Sequence, residues 1–87
     1  MISFIYSKHF LKSAKKLSKN LQVKLAEQLE TLQQNPFQNS LHTKPLTGKL
    51  VGFYSFRITR EWRVIFYFEK PKIIKLIEIG HRKDIYK

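Results

Sequence analysis

The stretch Gly52–Phe68, GFYSFRITREWRVIFYF, decides how the chain folds. Tyr54, Phe56 and Ile58 alternate with Phe53, Ser55 and Arg57. Beyond Thr59-Arg60-Glu61, Trp62, Val64, Phe66 and Phe68 alternate with Arg63, Ile65 and Tyr67. Alternation rich in aromatic and β-branched side chains is a strand signal, so the segment predicts a hairpin. The loop fixes its register. With Thr59, Arg60 and Glu61 as the loop, Ile58 faces Trp62, Phe56 faces Val64 and Tyr54 faces Phe66. Arg57 then faces Arg63 on the other side. A loop of Thr59 and Arg60 alone sets Arg63 against Phe56, and a one-residue slip turns every side chain to the opposite face, so the odd loop or a bulge is favoured. Directly opposed guanidinium groups repel. The pair therefore predicts an anion lying over it, or else arginines that lie along neighbouring rings or pair with carboxylates, for which Glu69 and Glu78 are the candidates.

Working outward, Lys70-Pro71-Lys72 is a turn and Ile73 to Ile79 is a last strand. That strand is apolar on both faces apart from Lys75 and Glu78, which predicts a central position or a cover of helices. Gly80 is read as its end, and His81 to Lys87 as a basic tail. Upstream, Ile2 to Tyr6 is a short first strand and Ser7 a helix N-cap. A helix from Lys8 to about Ser18 turns Phe10, Leu11, Ala14 and Leu17 to one side. Lys8, Lys12, Lys15, Lys16 and Lys19 form the opposite stripe, read either as a solvated face or as a phosphate-facing rail. A second helix runs from about Asn20 to Gln34, with Leu21, Leu25, Leu29 and Leu32 as its buried stripe and Ala26 beside it. Asn35-Pro36 stops it. Phe37 to Val51 is a connection with edge-strand character at Lys44-Pro45-Leu46. The order β-α-α-β-β-β describes an α+β fold, with one domain over residues 1–87. A small, mainly antiparallel sheet carries an N-terminal helical hairpin on one face, and the other face carries arginines and aromatics.

Seventeen basic residues against six acidic give a formal charge of +11 on 87 residues. A chain so charged seeks polyanions: nucleic acid, an anionic membrane or an acidic protein. The absence of cysteine excludes disulfides, thiol chemistry and Cys-based zinc sites. No apolar run is long enough for a membrane span. The beginning MISFIYSKHF has no charged segment ahead of an apolar one, so no signal peptide is expected, and the expected compartment is the cytoplasm. No phosphate-cradling glycine loop, paired carboxylates or metal-ligand spacing is present. His9 and His42 stand alone, so neither a metal nor another cofactor is expected.

His81-Arg82 is different, since it follows a strand end and shares a tail with Tyr86. Histidine is the usual proton shuttle near neutral pH. Arginine gives bidentate donors to phosphate and to the charge that builds in phosphoryl transfer. A tyrosine can stack on a base or bond to a phosphate oxygen. If the sheet gathers Arg57, Arg63, His81, Arg82 and Tyr86, the set lacks a nucleophile, but RNA supplies its own 2′-hydroxyl. The matching reaction is RNA cleavage to a 2′,3′-cyclic phosphate and a 5′-hydroxyl without metal. Plain electrostatic binding of nucleic acid is the other reading of the same residues.

The segment holding Pro45-Leu46, Leu50, Gly52, Ser55, Arg57-Ile58, Glu61, Arg63 and Val64-Ile65-Phe66 resembles the core of RelE/ParE-superfamily toxins of bacterial type II toxin–antitoxin pairs, with spacing most like YoeB-type members. The ending Ile79-Gly80-His81-Arg82-Lys83-Asp84-Ile85-Tyr86 resembles the tail of RelE-type toxins. The resemblance implies a compact sheet with two N-terminal helices. It implies an mRNA endoribonuclease acting on the translating ribosome, restrained by a cognate antitoxin. Arg63 is similar to the family arginine that steadies the scissile phosphate, Arg82 to the tail arginine and Tyr86 to the C-terminal tyrosine. His81 resembles tail histidines with acid or base roles. Arg57 matches a second basic position, and Lys44, Lys49, Arg60 and Lys83 complete the expected RNA-binding set. The sequence departs from the family at two places. Phe53, Ser55 and Phe56 occupy the region of RelE's lysine pair, and Lys44 stands near the acidic base of YoeB-type members. The general base then falls to His81, with Tyr86 second. Two rivals share these residues: a ParE-like inhibitor of DNA gyrase that needs no nuclease site, and a non-catalytic RNA-binding module. The two consecutive helices ahead of the hairpin speak against the module.

Overall fold

A computed structural model describes residues 1–86. Five strands form one sheet: β1 (Ser3–Tyr6), β2 (Lys44–Pro45), β3 (Tyr54–Arg57), β4 (Trp62–Lys70) and β5 (Ile73–His81). Their spatial order is β1-β5-β4-β3-β2, with β1 parallel to β5 and every other pairing antiparallel. Helices α1 (Lys8–Lys15) and α2 (Lys19–Gln34) cover one face.

Local chemistry explains the boundaries. Ser7 Oγ accepts the Phe10 amide at 3.0 Å and donates to the Ile77 carbonyl at 2.9 Å, which caps α1 and ties it to β5. Ser18 caps α2 by accepting the Leu21 amide. α1 stops at Lys15, short of the expected Ser18, and the freed turn still buries Leu17. Leu11 and Ala26, expected to face inward, are exposed. The core is instead filled by Phe10, Leu17, Leu25 and Leu32 against Phe56, Val64, Phe66, Ile74 and Leu76. The lysines of α1 are exposed.

The hairpin has the predicted register: Tyr54 opposite Phe66, Phe56 opposite Val64 and Arg57 opposite Arg63. Thr59 Oγ1 accepts the amides of Glu61 and Trp62, both at 3.3 Å, and so fixes the odd loop. The edge character at Lys44-Pro45 is a short strand at the sheet margin, where a proline without an N–H is tolerated.

β5 departs from expectation. It does not end at Ile79: Gly80 pairs with Arg63 and His81 with Trp62. A register shift between Ile65 and Phe66 displaces Ile77 from the alternation. Ile74, Leu76 and Ile79 enter the helix-side core, while Ile77 packs in a second apolar cluster with Leu46, Ile65 and Ile85. This small cluster explains why β5 is apolar on both faces. Among the described residues, no helix is long and apolar enough to cross a membrane.

Candidate functional site

The uncovered face of the sheet carries the charge. Arg57 and Arg63 stand directly opposite each other on β3 and β4. Neither expected carboxylate reaches them. Glu78 is 3.0 Å from His9 Nε2, and Glu69 accepts from the Tyr67 hydroxyl at 3.3 Å. The Nε atoms of Arg57 and Arg63 are both buried without a hydrogen-bond partner. An unsatisfied buried donor is unfavourable, and two like charges add to the penalty. Burial, then Arg57 and Arg82, pushes the Arg63 guanidinium below its ordinary pKa, and Tyr86 pulls the other way.

The tail is fixed over this face by packing. The amides of Asp84 and Ile85 both bond to the His81 carbonyl, at 2.9 and 3.0 Å, which turns the chain back on itself. The Arg82 amide donates to the Glu61 carbonyl at 2.7 Å. Ile85 then lies over Gly80, where an added Cβ would sit 3.1 Å from Ile85 Cβ. The glycine thus gives Ile85 its seat.

One residue further, Tyr86 donates its hydroxyl to Ser55 Oγ at 3.0 Å. Ser55 is 1% exposed and is the one buried polar residue among those described. Lys44 Nζ lies 5.7 Å from the centre of the Tyr86 ring. A cleft of about 420 Å³ opens beside the ring, lined also by Pro45, Leu46, Thr47 and Leu50.

The structure therefore gathers Arg57, Arg63, Arg82, Tyr86 and Lys44. It does not bring His81 with them. His81 pairs with Trp62, whose side chain packs on the helix-side core, while Arg63 and its neighbour Gly80 belong to the other face. The His81 ring meets the Trp62 ring edge-on at 5.6 Å. Its Nδ1 accepts the Lys83 amide at 3.2 Å, which leaves the Nε2 proton for Glu61 Oε2, also at 3.2 Å. In this arrangement both ring nitrogens hold the tail in place. Lys83 is exposed on the tail turn, Arg60 on the β3–β4 loop, and Lys49 on the 3-10 turn Gly48–Leu50.

Ser55 and Gly80 were missed as site residues by sequence reading. The signal was present: each is a small residue on a face otherwise built of arginines and large apolar groups. Among the described residues, no group of three or more His, Cys, Asp or Glu is placed to hold a metal.

Comparisons with known proteins agree with the fold. A family model described as ParE toxin of type II toxin–antitoxin system, parDE, matches residues 4–86. No curated protein matches the chain in sequence. Among solved structures, YafQ from E. coli strain BL21(DE3) superposes with a TM-score of 0.82 at 20% identity, covering 100% of both chains. A YoeB/ParE toxin from Agrobacterium tumefaciens gives 0.79 at 16% identity, covering 93% of this chain and 99% of its own. The toxin–antitoxin complex RelBE2 from Mycobacterium tuberculosis gives 0.78 at 18% identity, covering 93% of this chain and 98% of the matched one.

Proposed function

The chain belongs to the ParE toxin family of type II toxin–antitoxin systems, within the RelE/ParE superfamily, and from that premise we propose that it is an endoribonuclease acting on mRNA. The observation that carries this reading is the opposed pair Arg57 and Arg63, each with a buried Nε lacking a partner, beside a tyrosine pinned by a buried serine. A phosphodiester laid over the pair accepts from the outer nitrogens of the half-buried guanidinium groups and relieves the repulsion. Arg63, matching the family arginine at that position, steadies the scissile phosphate; Arg57 holds it from the neighbouring strand.

The chemistry then needs only proton transfers. A base takes the proton of the 2′-hydroxyl, whose oxygen bonds to phosphorus. The bond from phosphorus to the 5′-oxygen breaks, and that oxygen takes a proton from solvent water as it leaves. The arginines stabilise the charge that grows on the phosphoryl oxygens. Tyr86 is the titratable group on this face with a relay. Ser55 Oγ can accept from the phenol or donate to a phenolate by turning its hydroxyl. Tyr86 is accordingly assigned the base role. His81 becomes a positioning residue that fixes the turn from which Arg82 and Tyr86 project. The translating ribosome is the proposed setting. The proposed restraint is a cognate antitoxin with an acidic or amphipathic segment over the basic face, in keeping with the toxin–antitoxin complex among the structural matches.

Primer extension on cellular mRNA after brief induction tests the reading, with Arg63→Ala/Tyr86→Phe as the comparison. New ends inside translated frames, absent from the variant, are expected. Growth arrest with intact mRNA would overturn nuclease action in favour of a gyrase inhibitor, the activity that the ParE resemblance implies.

A further inference from the structure

A second basic cleft, about 400 Å³, opens between α2, the 3-10 turn Asn39–Leu41 and the end of β3 with the loop that follows it. It is built where three elements meet. Gln28 on α2 sends its side-chain amide to the Ser40 carbonyl at 3.2 Å and to the Arg57 carbonyl at 2.8 Å. One side chain thus joins the helix, the 3-10 turn Asn39–Leu41 and the end of β3. Around this floor stand Lys24 from α2, His42 from the turn, and Arg57 and Arg60 from the hairpin. His42 closes the turn in a left-handed backbone conformation (φ 49°). No carboxylate lines the cleft. Glu61, beside Arg60 in sequence, is turned to His81 instead. Cations left unneutralised around a concave surface concentrate the field and attract anions.

Arg57 belongs both to this cleft and to the opposed arginine pair. An anion spanning both places must therefore be extended and carry repeated charge. We propose that the cleft is a second phosphate-binding subsite, which takes the phosphodiester backbone of the single-stranded RNA that flanks the phosphate held at Arg63. The proposal rests on the nuclease reading for the phosphate at Arg63, whereas the cleft itself is read by binding alone. Phosphate contacts position a strand without reading its sequence, so the subsite acts on every RNA alike.

The test is binding of a short oligoribonucleotide, 2′-O-methylated throughout so that it cannot be cleaved, measured across a salt series. Lys24→Ala/Arg60→Ala is compared with the unaltered chain and with Lys70→Ala/Lys72→Ala. The latter pair removes the same charge at the far end of β4, about 25 Å away at strand spacing. The expected result is weaker binding by the cleft variant and a salt slope shallower by about 1.4, two single-strand phosphate contacts, with the distant pair nearly unchanged. Equal affinity and slope in the cleft variant and the unaltered chain, or equal loss in both double variants, would overturn the subsite. The nuclease reading is judged separately. Cleavage abolished by Arg63→Ala alongside an unaffected cleft variant removes the subsite and keeps the reading. Cleavage untouched by Arg63→Ala, with binding lost in the cleft variant, does the reverse. Matching melting curves exclude misfolding as the cause.

Discussion

The two faces of the sheet are built on opposite terms. The face under α1 and α2 holds Phe56, Val64, Phe66, Ile74 and Leu76, all buried, with neighbours of the same kind. The other face opposes two arginines, leaves both Nε atoms unpartnered, and carries a small apolar cluster of Leu46, Ile65 and Ile85 with Leu50, Phe53 and Ile77 packed against it. β3 and β4 serve both faces through alternate residues, so stability and charge are separated by one position in sequence. The first face stabilises the fold, and the second holds opposed cations, unpartnered at Nε, that work against it. Burial and like charge lower the pKa of Arg63, so its charged form works against folding below that pKa and is relieved only at alkaline pH.

Substitutions on the two faces should therefore have opposite signatures. The largest expected effect is Phe66→Ala, a fully buried aromatic on the covered face. It should remove about 3–5 kcal/mol of stability, read by urea denaturation, and lower activity only as far as it unfolds the chain. Arg63→Ala should do the converse: cleavage falls on the order of 10²–10³-fold, while the melting temperature does not fall. A clear loss of stability in Arg63→Ala would break the contrast between the faces. Ile85→Ala sharpens it from a different side. Truncating this tail anchor should cost about 2–5 kcal/mol at most, at the low end here because the site borders solvent. Cleavage should fall by more than the folded fraction does, because Tyr86 loses its support. Proportional loss of the two would make the small cluster purely structural. The smallest effect is expected for Ser55→Ala, about 0.5–1.5 kcal/mol for one neutral hydrogen bond. Its distinguishing readout is cleavage: without the serine hydroxyl to hold the Tyr86 phenol, the rate should fall by more than the folded fraction does. A rate that falls only with the folded fraction would remove the Ser55 contact from the chemistry.

Much of this could be read from residues alone. The hairpin register was legible because only one loop length keeps Arg63 away from Phe56. Both helices and the Ser7 cap were legible because capping is local chemistry; Ser18, read as the end of α1, is instead the cap of α2. The lengths of α1 and β5 were not. Residues 16–18 keep helical spacing but are drawn into the turn that starts α2, and Gly80, a breaker in isolation, is held in the ladder by Arg63 across from it. Ser55 looked like an ordinary outward strand residue because its partner is 31 positions away.

By itself, the sequence determined the polyanion-seeking charge, the opposed arginines and the α+β order, since these follow from composition, alternation and local turn chemistry. Only the tertiary structure decided which tail residues join the arginines. A turn closed by His81, with Ile85 seated on Gly80, carries Tyr86 to Ser55 while His81 keeps to the Trp62 side. The face on which a tail side chain lands depends on where the strand ends and how the chain turns after it, and both were set by contacts with distant parts of the sheet.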